Sequence, residues 1–203
     1  DVQVQPIRLA SQPENSNDST AEPSKSLFQT YSSFAENILN ASRAVETKGP
    51  PFKTTGFVYD ERMLHHSDPH DPEHPERPAR ITCIYEKLRA AGLLDRSYRI
   101  PVIIKLADFT PEVQAVHDPK YCKKINQTSL MTSLDDLGQF SSQFNSVYIS
   151  PSTAISATVA AAATIDVCLS VARGQVENGF AIVRPPGHHA EHDEAMGFCI
   201  YNN

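Results

Sequence analysis

Two adjacent histidines, His188 and His189, stand in the segment "AIVRPPGHHAEHDEAMGFCIYNN", residues 181–203. Imidazole titrates near neutral pH, so a neighbouring pair can take up and return protons within one reaction. The residues before them suit that task. An apolar run ends at Val183, Pro185 and Pro186 stiffen the chain, and Gly187 lets it turn sharply. In parallel α/β sheets, ligands collect at the carboxyl ends of strands, where such a loop would lie. An exposed or structural pair is the alternative reading of the same residues.

A second concentration of polar side chains lies in "HHSDPHDPEHPERP", with His65, His66, His70 and His74 among Asp68, Asp71 and Glu73. This composition could bind a metal ion. A solvated loop at the mouth of a pocket is the commoner outcome of such a run and is expected here. His117 follows Val113 at helical spacing and reads as a packed or capping histidine. Cys83, Cys122, Cys168 and Cys199 form no closely spaced pair, which suits a reducing compartment.

These residues need elements to position them. "GFVYD" reads as a first strand, with the domain starting near Thr55 after the boundary "KGPPF". Ile81 to Ala91 has helical periodicity, with Gly92 as its C-cap. "RIPVIIKLA" reads as the next strand. Thr110, Pro111 and Glu112 open a helix, and a second short one follows Asp118 and Pro119. "NSVYIS" is a strand end or extended loop. Ser150 and Pro151 then open a long alanine-rich helix that Gly174 terminates, and "GFAIV" is the strand leading to the histidines. Strands alternating with helices predict an α/β fold with a mostly parallel sheet.

The 203 residues suffice for one domain, with 40% hydrophobic and 21% charged residues. A net charge of −6 argues against nonspecific nucleic-acid binding. Residues 1–50, rich in Ser, Asn, Pro and Glu, read as a disordered leader, with one short amphipathic helix over Leu27 to Ala44; residues 51–203 read as the domain. The stretch Ala154 to Ala172 is long enough to cross a membrane, but Asp166 and its serines and threonines make it too polar. A helix buried in an α/β domain is expected instead.

The segment "RPPGHHAE" followed by "GFC" resembles the active-site signature of class II histone deacetylases. "TGFVYDERMLHH", "HPERPARI", "LADFTPEVQAVHDPKY" and "FNSVYISPSTAISA" resemble further segments of that catalytic domain, in the family's order. The resemblance covers about residues 55–203. It implies the arginase-like α/β fold, a mostly parallel sheet flanked by helices, truncated here on its carboxyl-terminal side. It also implies zinc-dependent hydrolysis of the acetyl-lysine amide, in which zinc polarises the carbonyl and activates a water.

By resemblance, His188 orients that water and stabilises charge, while His189 is the general base and then the acid for the leaving amine. Gly197 and Phe198 match the pair lining the acyl-lysine tunnel, although Phe198 could instead be a plain core residue. Ser146 matches a rim position that accepts a hydrogen bond from the substrate backbone, where the family often has aspartate. Arg80 matches an arginine near an internal cavity through which acetate leaves, or else forms a surface salt bridge. The family's zinc ligands, a D-x-H pair and a later aspartate, are expected beyond residue 203, so no metal ligand is expected within this chain. The 203 residues alone are accordingly expected to be inactive. A regulatory zinc held by cysteines near the histidine-rich loop is not supported, since that loop has none.

The implied partners are acetylated histones or other acetyl-lysine proteins and corepressor subunits, acting in chromatin regulation and transcription repression. The implied location is nucleus, cytoplasm or both, with no direct nucleic-acid contact and no membrane. Two alternatives stay open: a noncatalytic interaction protein, and a deacetylase of small acetylated amines, of the polyamine type, on the same fold.

Overall fold

The computed structural model describes residues 52–103 and 111–202. The readings for residues 1–50, for Thr110 and for most of "VIIKLA" lie outside these residues. Three parallel strands form a sheet in the order β2-β1-β3: β1 is Phe52–Val58, β2 is Tyr98–Arg99 and β3 is Val176–Ala181. Parallel neighbours need long crossovers, and helices supply them here. They are α1 (Ala79–Ala90), α2 (Pro111–Val116), α3 (Pro119–Gln127), α4 (Leu134–Ser141) and α5 (Thr153–Ala172).

Two glycines set how closely the layers meet. Gly56 of β1 is paired in register with Gly179 of β3. A Cβ on Gly56 would stand 2.6 Å from Ile100 Cδ1, and one on Gly179 2.7 Å from Val167 Cγ1. Bare backbone at these two positions lets Ile100 and α5 rest directly on the sheet.

Helix α5 is the centre of the molecule. Ala154, Ala157 and Ala161 pack with Tyr121, Ile125, Leu137 and Ile200 in one core cluster. Val159 and Ala160 join a second cluster with Phe57, Met63 and Ile182, and Ala163 and Val167 join a third with Val58 and Ile100. Alanine on several faces allows close approach from all of them. Its length and hydropathy would suffice for a membrane span, but 56% of the most apolar window is buried within the fold, as expected for a core helix. Three of its hydroxyls bond carbonyls within the fold: Thr158 donates to that of Ala154, Thr164 to that of Ala160 and Ser156 to that of Arg62.

The helix ends follow the local signals. At Gly92 (φ +64°), its own N–H reaches the Arg89 carbonyl and the Leu93 N–H reaches that of Leu88. Gly174 (φ +67°) repeats the pattern, with Gln175 N–H on the Ser170 carbonyl. These are paired capping bonds around a left-handed residue. Asp118 caps α3, its carboxylate accepting from the N–H groups of Lys120 (2.6 Å) and Tyr121 (3.4 Å).

Three sequence readings need correction. Among the described residues, the strand over "RIPVIIKLA" ends at Arg99: Ile100 N–H still bonds the Phe57 carbonyl at 2.8 Å, but Pro101 has no N–H for the ladder. Helix α4 was not anticipated, although Ser133 caps it, accepting from Asp136 N–H at 3.3 Å. The histidine-rich loop is not uniformly solvated, because His66 and Glu76 are each only 1% exposed.

Candidate active site

Strand β3 and the residues after it carry the histidine pair. Ile182 N–H bonds the Val58 carbonyl at 3.1 Å, extending the strand's alignment, and the Arg184–Pro185 peptide is cis. The chain then turns, with Ala190 N–H closing on the Gly187 carbonyl at 2.9 Å. His188 and His189 stand exposed at the carboxyl end of β3, their ring centroids 4.3 Å apart and inclined at 56°. This is the side of the sheet, beyond a strand's carboxyl end, where the sequence expectation put the loop. One thiol and one backbone bond hold the loop: His189 N–H points at Cys199 Sγ (3.3 Å) and Ile200 N–H at the Pro186 carbonyl (3.2 Å). Burial raises the pKa of the Cys199 thiol, keeping it neutral and an inert acceptor.

Gly197 lies directly against His189. A Cβ there would be 3.2 Å from His189 Cδ2 and 3.4 Å from Cγ, and the backbone is left-handed at φ +56°. Both facts favour glycine. Phe198 also has a positive φ, +70°, an unusual conformation for a bulky residue. It is held by its N–H on the Ser146 carbonyl (2.8 Å), next to Gly197 N–H on the Asn145 carbonyl (2.9 Å). Ser146 itself has φ +54° and is exposed, its hydroxyl 3.3 Å from Asn145 Oδ1. Gly197, Phe198, Ser146 and His189 therefore form one neighbourhood. Phe198 is half-buried, its ring edge-on to His74 at 4.8 Å.

Arg80 lies apart from this group. Its side chain is 53% exposed on α1, with Nη1 3.5 Å from Glu76 Oε1. It forms an ion pair, but the partner carboxylate is buried, so only the arginine end lies at the surface. The buried guanidinium belongs instead to Arg184, which sequence reasoning passed over. Arg184 and Glu76 are fully buried, and Arg184 donates from Nε to Glu76 Oε1 (3.0 Å) and from Nη2 to Oε2 (2.7 Å). It also donates to the Met63 carbonyl (2.7 Å) and the Tyr148 hydroxyl (2.9 Å). The Tyr148 hydroxyl donates to Glu76 Oε2 at 2.7 Å, and burial raises its pKa. His66 stacks on Tyr148 with centroids 4.4 Å apart, its Nδ1 2.9 Å from Thr153 Oγ1. Burial, with Arg184 nearby, holds His66 well below the usual histidine pKa, so it is neutral. The available signal was a lone arginine between an apolar strand and two prolines.

His117 is packed, as its spacing suggests. It is fully buried, its Nε2 accepts from Asn202 N–H (2.8 Å), and its Nδ1 lies 3.2 Å from the His192 carbonyl. Those partners assign the proton to Nδ1. Burial lowers its pKa. Among the described residues, no group of three or more His, Cys, Asp or Glu side chains is placed to hold a metal ion.

The fold is thus a parallel α/β sheet with two exposed imidazoles beyond a strand end, beside a glycine and an aromatic on left-handed backbone. Comparison with known proteins gives the family. Residues 74–203 match the histone deacetylase domain. Histone deacetylase 5 of Arabidopsis thaliana is 39% identical over 151 residues, covering 74% of this chain and 22% of the relative. Polyamine deacetylase HDAC10 of Homo sapiens is 38% identical over 134 residues, covering 66% of this chain and 19% of the relative. The crystal structure of the HDA15 HD domain aligns with a TM-score of 0.62 at 35% identity, covering 74% of this chain and 41% of that one. The chain belongs to the histone deacetylase family, and its relatives fit the class II branch. It spans about a fifth of the length of the curated relatives it matches.

Proposed function

We propose that this chain is the part of a zinc-dependent protein lysine deacetylase that supplies its proton-handling pair and one wall of its acyl-lysine tunnel. One observation carries the reading: His188 and His189 project from the end of β3 with Gly197 against His189, inside the region that matches the deacetylase domain. In this reading His189 takes a proton from the attacking water and returns it to the departing lysine amine. His188 orients the water and stabilises charge as the carbonyl is attacked. Phe198 offers an aromatic surface to the apolar lysine stem, and Ser146 accepts a hydrogen bond from the substrate backbone at the rim. Arg80 is proposed to stand near the internal cavity through which acetate leaves, its Nη1 reaching the buried Glu76.

Zinc is the Lewis acid the family resemblance implies. No group among the described residues is placed to hold it, and its ligands are proposed from the family resemblance alone, as a D-x-H pair and a further aspartate. Residues 1–50 are proposed as a leader to a domain spanning 51–203. The proposed substrates are acetylated histones or other acetyl-lysine proteins, met in the nucleus or cytoplasm, with corepressor subunits as partners. Similarity to polyamine deacetylases named HDAC10 supports a second reading, a small acetylated amine as substrate.

The test is an assay of the full-length protein on an acetyl-lysine peptide and on an N-acetylated polyamine, with and without a chelator. Peptide turnover abolished by the chelator and restored by zinc is the expected result. Turnover that survives complete metal removal sinks the zinc mechanism, and preference for the polyamine selects the second reading. Residues 1–203 expressed alone are expected to give no turnover with added zinc; stoichiometric zinc together with activity would relocate the metal site into this chain.

A further inference from the structure

We propose that Glu76, Arg184 and Tyr148 are positioning residues for this reaction, fixing the strand end from which the His188–His189 loop springs. The inference rests on the deacetylase reading above. Arg184 immediately precedes Pro185 and Pro186, and no side-chain nitrogen is left without a partner. Nε and Nη2 meet the two Glu76 oxygens at 3.0 and 2.7 Å, Nη2 also meets Tyr148 Oη at 2.9 Å, and Nη1 meets the Met63 carbonyl at 2.7 Å. A planar fork gripped at three corners has one orientation. The chain direction at residue 184 is therefore set, and two prolines pass it stiffly to Gly187 and the histidines.

Stability is a weak reason for this arrangement. A buried ion pair often gains little over apolar residues of the same volume, because both charges lose their hydration. Directional grip is what the polar version adds. Tyr148 also reaches the second half of the site. Its hydroxyl joins Glu76 and Arg184, while its ring meets the His74 ring edge-on at 4.8 Å, and His74 meets Phe198 in the same way at 4.8 Å. One phenol thus links the base-carrying loop, through oxygen, with the aromatic wall, through its ring.

The two arms separate by substitution in the full-length protein assayed on an acetyl-lysine peptide. Tyr148→Phe removes the hydroxyl and keeps the ring; kcat falls about tenfold while KM stays within about twofold, the scale of a small misalignment of a catalytic group. The acidic limb of its pH–rate profile moves as well. Tyr148→Leu removes the ring too, so KM rises in addition. The double variant Glu76→Met/Arg184→Met keeps volume and removes both charges; it melts within a few degrees of the parent, and kcat falls at least as far as in Tyr148→Phe. Tyr148→Phe or the double variant turning over at the parental kcat with an unmoved pH profile overturns the inference. Failure of every variant to fold also overturns it, since the network would then be structural only. A parent with no deacetylase activity sinks the deacetylase reading itself, which an active parent with indifferent variants does not.

Discussion

The mouth of the site and the floor beneath it join through the short run from Arg184 to His189, yet they are built in opposite ways. At the mouth, His188 and His189 are exposed, and the loop is held through its backbone N–H groups, by Cys199 Sγ and by the Pro186 and Gly187 carbonyls. On the floor, Arg184, Glu76 and His66 are buried and are held chiefly through their side chains. A group that must exchange protons needs its nitrogens free, whereas a buried charge must have every polar atom met. Leaving one floor charge unpartnered should therefore register in folding as well as in turnover, and damage to the mouth in turnover alone.

The largest effect is expected from separating the floor pair. Glu76→Leu alone leaves the Arg184 charge buried without its partner, which costs about 3–5 kcal/mol of stability. Urea unfolding of the full-length protein measures this, and a loss below about 1 kcal/mol would mean that water reaches Arg184. Next comes the mouth. His189→Ala should lower kcat by about a hundredfold or more, and by more than His188→Ala, with melting temperature unchanged, because only the general base and acid moves the proton. Near-parental turnover in His189→Ala would remove that role from it.

A smaller loss is expected at Gly197→Ala. The new Cβ would come within 3.2 Å of the His189 ring on left-handed backbone. A displacement of tenths of an ångström should lower kcat about tenfold, together with a stability loss of about 1 kcal/mol from the strained φ. If kcat/KM is unaffected, the position of the His189 ring is not critical.

The smallest effect is in the pH dependence of stability. His66 and His117 have folded pKa values below the ordinary 6.5, through burial. Between those values and 6.5 the unfolded chain binds more protons than the folded one, so stability is complete above 6.5 and is lost as the pH falls below it. Thermal melting as a function of pH should show this decline, and the slope should flatten in His117→Gln. A melting temperature that rises on acidification would show that the buried rings accept protons in the fold.

Local signals read well in the sequence because their causes are local. Gly92, Gly174 and Asp118 cap helices through conformation and hydrogen bonds available within a few residues. The alanine-rich run predicted a buried helix, and the apolar run before Arg184 predicted a strand ending at the histidines; β3 begins earlier, at Val176. Helix α4 was missed because its apolar content is spread over only eight residues, although Ser133 was its marker. Arg184 was passed over because only the fold shows that its guanidinium is itself buried on Glu76, which Arg80 reaches from an exposed position.

The sequence by itself determined the helix ends, the parallel α/β class and the pairing of two imidazoles on a stiff turn, since each depends on neighbours along the chain. Tertiary structure alone decided which members of the histidine-rich loop go inside. His66 meets Thr153 across 87 positions and Glu76 meets Arg184 across 108. The burial of such charges is decided by partners distant in sequence, because a carboxylate can leave water only where donors already wait to replace it.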